Sequence, residues 1–135
     1  SPTTFGDSLR LEQANAEVLP NGDVAVNLLW SPIHDLDRNY TVSTFLLDQN
    51  GILAGENNDS YPFDNLSPTI DWHQDRLYFD NHILKTEGIP SSQYTVGVKV
   101  YYFVDLAAGQ LEIVPIANCE QNCEYTIIDT IDYEK

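Results

Sequence analysis

The stretch Tyr94–Val104, YTVGVKVYYFV, decides the fold. Tyr94, Val96, Val98, Val100, Tyr102 and Val104 fall on one face at a strict period of two, the repeat of a strand and not of a helix. β-Branched and aromatic side chains suit such a pleated, half-buried surface. Thr95, Gly97, Lys99, Tyr101 and Phe103 make the opposite face, which turns apolar only toward its end. The segment is longer than the usual strand of about five or six residues, so it is expected at the centre of a sheet.

Working outward, the same alternation recurs between turn signals. Val24, Val26, Leu28 and Trp30 alternate inward after Leu19-Pro20-Asn21-Gly22-Asp23, where proline pre-sets φ and Asn-Gly accepts a positive one. Tyr40–Asp48 sets Val42 and Leu46 against Phe45 and Leu47, and a second Asn-Gly turn at Asn50-Gly51 leads to a short strand, Ile52–Ala54. Phe5–Val18 opens with Leu9 and Leu11 alternating against Arg10 and Glu12, as an edge strand would. Arg76–Leu84 puts Leu77, Phe79 and Ile83 opposite Tyr78, Asp80, His82 and Leu84. Gly88–Ser92 and Leu106–Gln110 are turns on either side of the central strand. Glu56–Thr69 shows no periodicity and is expected to be irregular, pinned by Tyr61, Phe63 and Leu66. About eight strands with turn residues between them, and no sizeable amphipathic helix, predict an all-β antiparallel sandwich, immunoglobulin-like or jelly-roll. Residues 1–135 are expected to be one such domain. The chain opens on Ser1-Pro2 and contains no methionine, which predicts a piece excised from a longer protein.

Charge narrows the partners. Six basic residues against twenty-one acidic ones give a net charge of −15, spread along the chain. Such a surface repels phosphate backbones and anionic lipid, so nucleic acid is not an expected partner. No apolar run approaches the roughly 20 residues that span a bilayer, so no direct membrane insertion of this segment is expected. Cys119 and Cys123, in NCEQNC, lie between apolar segments Leu111–Ala117 and Tyr125–Ile131. That context favours a disulfide closing a hairpin loop over free thiols or a metal, adding about 2 kcal/mol by chain entropy. It points to an oxidising, extracytoplasmic location.

Catalytic signatures are missing. There is no GxSxG elbow, and three histidines among many serines make no triad without geometry. Asp80 and His82, two apart on one strand face, have a spacing at which both could hold one metal ion, although no third ligand is evident. Asn57–Asp59, Asp64-Asn65, Asp35 and Asp37 could offer oxygens to calcium, without an EF-hand spacing. Trp72 and Tyr61, beside the long loop, are candidates for stacking on a sugar ring, whereas Trp30 is expected in the core.

One series of residues carries a resemblance. Phe5-Gly6-Asp7, Trp30, Tyr40-Thr41-Val42, Leu46-Leu47-Asp48 with Gly51, Asp59-x-x-Pro62, Pro68-Thr69, Trp72, Asp80-x-His82 and Tyr94-x-Val96-Gly97 run from Phe5 to Phe103. In that order and spacing the series resembles a β-sandwich domain at the C-terminal, extracytoplasmic end of some bacterial membrane proteins. Many of those are multi-spanning glycosyltransferases similar to the dolichyl-phosphate-mannose-dependent mannosyltransferases. The resemblance implies no catalytic residues in this domain. The expected function is therefore a non-catalytic, extracytoplasmic accessory domain, tethered at the cell surface or in the periplasm and partnered with the rest of its parent chain. The alternative is a carbohydrate-binding module, with or without calcium, using Trp72, Tyr61, Asp59, Asp80 and His82 as ligand-binding residues.

Overall fold

The structure, a computed structural model, describes residues 2–135. It contains β1 (Thr3–Phe5), β2 (Leu9–Val18), β3 (Val24–Pro32), β4 (Thr41–Leu47), β5 (Leu53–Ser60), β6 (Tyr78–Leu84), β7 (Ser92–Asp105), β8 (Gln110–Ile113) and β9 (Thr126–Tyr133). One sheet has the order β1-β2-β3-β6; the other has β5-β4-β7, with β8 and β9 both paired to β7. All pairings are antiparallel. In chain order, β2–β3 lie in the first sheet, β4–β5 in the second, β6 returns to the first, and β7–β9 finish in the second. That alternation packs two antiparallel sheets as the expected β-sandwich.

The alternating residues meet between the sheets. Val24, Val26, Leu28 and Trp30 from β3 face Val42 and Leu46 from β4 and Tyr94, Val96, Val98 and Val100 from β7, all buried in one cluster. The Tyr94 hydroxyl donates to the Pro90 carbonyl at 2.6 Å, a tyrosine corner that ties the start of β7 to the chain entering it. Burial raises the pKa of this phenol. On the face turned away from the core, the Phe45 ring lies over Gly97, where an added Cβ would come within 2.3 Å of it. Glycine is therefore required in mid-strand for close approach.

Four expectations are corrected. β7 does run through the sheet centre, but Tyr102 is only half-buried and Val104 is 60% exposed, because the strand outruns the core. Phe5–Val18 is two strands folded about Gly6, whose φ is +58°. β5 reaches Ser60, well beyond Ala54, with a bulge between Ala54 and Asn58; it is a largely exposed edge strand, so no alternation marked it. The two cysteine-flanking segments do not pair with each other. β8 takes the Tyr101–Asp105 part of one β7 edge and β9 takes Ser92–Val98 of the same edge. Between them the chain leaves to reach the first sheet, bridging Ile116 to Phe5, before returning through the Cys119–Cys123 disulfide. Periodicity reports a strand but not its partner, and a 14-residue β7 has length for both.

Candidate functional site

The expected site residues divide among three places. Asp80 and His82 are together beneath the long loop, both side chains without exposed surface. His82 Nε2 donates to Asp80 Oδ2 at 2.8 Å, and Trp30 Nε1 donates to the same oxygen at 3.0 Å. The Phe63 amide donates to Asp80 Oδ1 at 2.6 Å. On its other side His82 Nδ1 meets Asn58 Oδ1 at 2.9 Å and Ser60 Oγ at 3.2 Å. Asp80 and His82 are spent on each other and on these neighbours rather than converging on an open metal position. Among the described residues no group of three or more His, Cys, Asp or Glu side chains is placed to share a metal ion.

Trp72 is 1% exposed and offers no face to a ligand. Its ring stacks on Tyr78 with centroids 4.3 Å apart, and its indole N–H donates to Ser67 Oγ at 2.9 Å. Asp59 lies elsewhere, on the outer side of the second sheet, where it accepts from Ser43 Oγ at 2.6 Å and Tyr101 OH at 2.8 Å. Burial first, and the adjacent Asp59 second, push the Tyr101 pKa upward. Tyr61 alone of the expected set borders an open cleft.

That cleft sits at the end of the sandwich where three connections meet: β3–β4, β5–β6 and β7–β8. It encloses about 660 Å³, walled by Arg38, Asn39, Tyr61, Tyr102, Phe103 and Glu112 among others. Across a ridge of Arg38, Tyr102 and Glu112 it adjoins a second hollow of about 390 Å³, bordered by Asp7, His34 and Tyr40. Both volumes lie in or near the range of small-ligand sites, roughly 300–1,000 Å³. The Arg38 guanidinium carbon stands 4.1 Å from the centre of the Tyr102 ring. The Tyr102 hydroxyl donates to Glu112, which raises the phenol's pKa more than its partial burial does. Tyr40 meets the Tyr102 ring edge-on at 5.8 Å, and Tyr101 does the same to Phe103 at 5.6 Å. The aromatic walls are thus braced from behind.

Two local devices hold this end in shape. Phe63, Asp64 and Asn65 are three successive non-glycine residues with φ of 55°, 53° and 64°. Left-handed backbone is tolerated by Asp and Asn but disfavoured for Phe, and such strain persists only where the surroundings enforce it. Asp80 holds the Phe63 amide, and Asn65 Oδ1 holds the Tyr61 amide at 2.8 Å, which sets Tyr61 at the cleft wall. The second device is Thr69, a fully buried residue in the 3-10 turn Thr69–Asp71. It donates to the Arg38 carbonyl and accepts from the Tyr40 amide, both at 2.8 Å. Ile70 N–H to Asn39 Oδ1 at 3.1 Å and Leu36 N–H to the Trp72 carbonyl at 3.1 Å complete the seam.

Thr69→Val keeps the volume and removes both hydroxyl bonds, leaving a carbonyl and an amide unpaired between the loops. The expected loss is about 1–3 kcal/mol in a urea titration; an unchanged midpoint would show that the two loops hold each other without this joint. Thr69 stands in the resemblance series as Pro68-Thr69, whereas no sequence pattern points to Arg38, Asn39 or Glu112 as site residues. Arg38 and Asn39 stand in a polar connection, and their roles come from a loop 31 positions away.

A larger groove of about 930 Å³ runs between β2 and β9. Its sole titratable side chain is Glu12, which accepts from Ser31 Oγ. Ser60, His82 and Asp80 also form a hydroxyl–imidazole–carboxylate series, but none of the three borders this groove or the clefts above. No protein-family model matches the chain, and no curated protein matches it.

Proposed function

We propose that this is a non-catalytic, extracytoplasmic accessory or interaction domain of a larger bacterial membrane or surface protein, with the loop end as its working surface. The carrying observation is where the chemistry-bearing side chains went. Asp80 and His82 are sealed in the core and saturated by Trp30, Phe63 and Asn58, so they serve to fix the loop that walls the cleft. The Phe5–Phe103 series and the Cys119–Cys123 disulfide support the same reading. Among the described residues no helix is long and apolar enough to cross a membrane, so on this reading tethering falls to the rest of the parent chain. The location is tested on protein taken from its native cells, with thiols trapped in acid before alkylation. Mass spectrometry is expected to find no free thiol; quantitative alkylation of Cys119 and Cys123 would sink the extracytoplasmic assignment.

A second reading, a carbohydrate-binding module, is favoured by the cleft itself. Tyr61, Tyr102 and Phe103 offer ring surface for the C–H faces of a sugar, and Asn39 and Glu112 offer hydrogen bonds for its hydroxyls. On this reading the site is the loop-end cleft and excludes Trp72, Asp59, Asp80 and His82. Retention of the domain on insoluble polysaccharides, with calcium and with chelator, tests it. Retention lost with chelator would add calcium to the reading, and the absence of any retention would leave the accessory role alone.

A further inference from the structure

We infer that the loop-end cleft selects uncharged glycan chains and turns away acidic ones, an inference that rests on the carbohydrate-binding reading. The two hollows carry three carboxylates, Asp7, Asp37 and Glu112, against one guanidinium, Arg38, and one imidazole, His34, which sits 2.8 Å from the Asp35 carbonyl through Nδ1 and 3.4 Å from Ser8 Oγ through Nε2. That guanidinium lies 4.1 Å from the Tyr102 ring centre, and its Nε is 3.9 Å from Asp37 Oδ1, so a carboxylate of the same cleft stands beside it. A uronate or sulfate entering the cleft therefore meets three carboxylates against that one guanidinium, inside a chain whose net charge is −15. A cleft whose lining is net negative depletes anionic ligands, by a factor of roughly ten at low salt.

The groups left over suit neutral hydroxyls. Glu112 uses Oε2 on the Tyr102 hydroxyl, which leaves Oε1 to accept from a ligand. Asn39 uses Oδ1 on the Ile70 amide, which leaves its Nδ2 hydrogens to donate. Phe103, 36% exposed, supplies an apolar platform beside them. Two hollows joined across the Arg38–Tyr102–Glu112 ridge suit successive rings of a linear chain better than a single monosaccharide.

The test is affinity electrophoresis of the domain through gels containing hydroxyethyl cellulose, galactomannan, polygalacturonate or alginate, with chelator present and at low and high salt. At least one neutral polymer is expected to retard the domain, with retardation by both uronates at least about tenfold weaker and the gap narrowing as salt screens the carboxylates. Glu112→Gln is expected to narrow that gap, and Phe103→Ala to weaken retardation while leaving the melting temperature in place. Uronates that retard the domain as strongly as the neutral polymers at low salt would overturn the charge selection and leave the carbohydrate reading standing. Full retardation of Phe103→Ala would overturn the placement in this cleft. No retardation by any of the four would overturn the inference, and absence from the insoluble panel as well would remove the carbohydrate reading beneath it.

Discussion

Asp80→Ala is expected to cost the domain about 3–5 kcal/mol, because it strands several donors around one buried acceptor. Trp30 Nε1, His82 Nε2 and the Phe63 amide all point at this carboxylate, from a partner strand, its own strand and the loop. No water replaces it cheaply in a site without exposed surface. Against a total stability of about 5–15 kcal/mol, that loss should lower the melting temperature by roughly 10–20 °C. Asp80→Asn separates the causes: it keeps the volume but turns an amide nitrogen toward a donor, so a large residual loss would be assigned to the bonds. The Tyr61–Leu66 turn should loosen first, visible as faster amide exchange at Phe63. A midpoint within about 0.5 kcal/mol of the parent would mean that Asp80 is not the post on which the left-handed turn hangs.

Trp72→Ala is expected to be of similar size, about 3–5 kcal/mol, for a different reason. The indole is a packing element: it stacks on Tyr78, and its backbone accepts from Leu36, so it couples the β3–β4 and β5–β6 connections. Truncation leaves a cavity under both. Trp72→Phe retains an aromatic ring and loses the bond to Ser67 with part of the indole's volume, at an expected cost of about 1–3 kcal/mol. Chemical denaturation of the two variants checks the ordering. A Trp72→Ala protein as stable as the parent would return the ring to the list of binding surfaces. The Thr69→Val effect belongs to the same seam and should not simply add to that of Trp72→Ala, because the Trp72 amide donates to the Thr69 carbonyl at 2.9 Å.

The candidate site was legible only in part. Asp80 and His82 stood out as a polar pair on a strand face, and that face is indeed the one turned inward: Leu77 and Phe79, their apolar neighbours, are exposed. Hydrophobicity alone would have oriented β6 the other way. What reverses it is hydrogen bonding, since Trp30 and His82 bring their own partners into the core and the cost of burying polar groups is met there. Tyr61 was named for its place beside a long loop, and it does border the cleft. Tyr102 was assigned inward by its period, and it leaves the core only because β7 outruns the sheet packed against it. Glu112 looked like one acid among twenty-one; nothing local distinguishes it from the others.

The amino-acid sequence by itself determined the sandwich, its turns and most of its strands, because these depend on neighbours a few residues apart: period-two alternation and Asn-Gly at the hairpins. It also determined the charge, hence the classes of partner the surface repels. Only the tertiary structure decided that β8 and β9 share one edge of β7, that Asp80 and His82 are sealed, and that Arg38, Tyr61, Phe103 and Glu112 face one cleft. These rest on contacts between distant positions, such as Trp30 with Asp80 at a separation of 50 and Tyr40 with Thr69 at 29. Local pattern carries no information about such pairs: a side chain's chemistry names what it can bond, and only the folded chain brings a partner within reach.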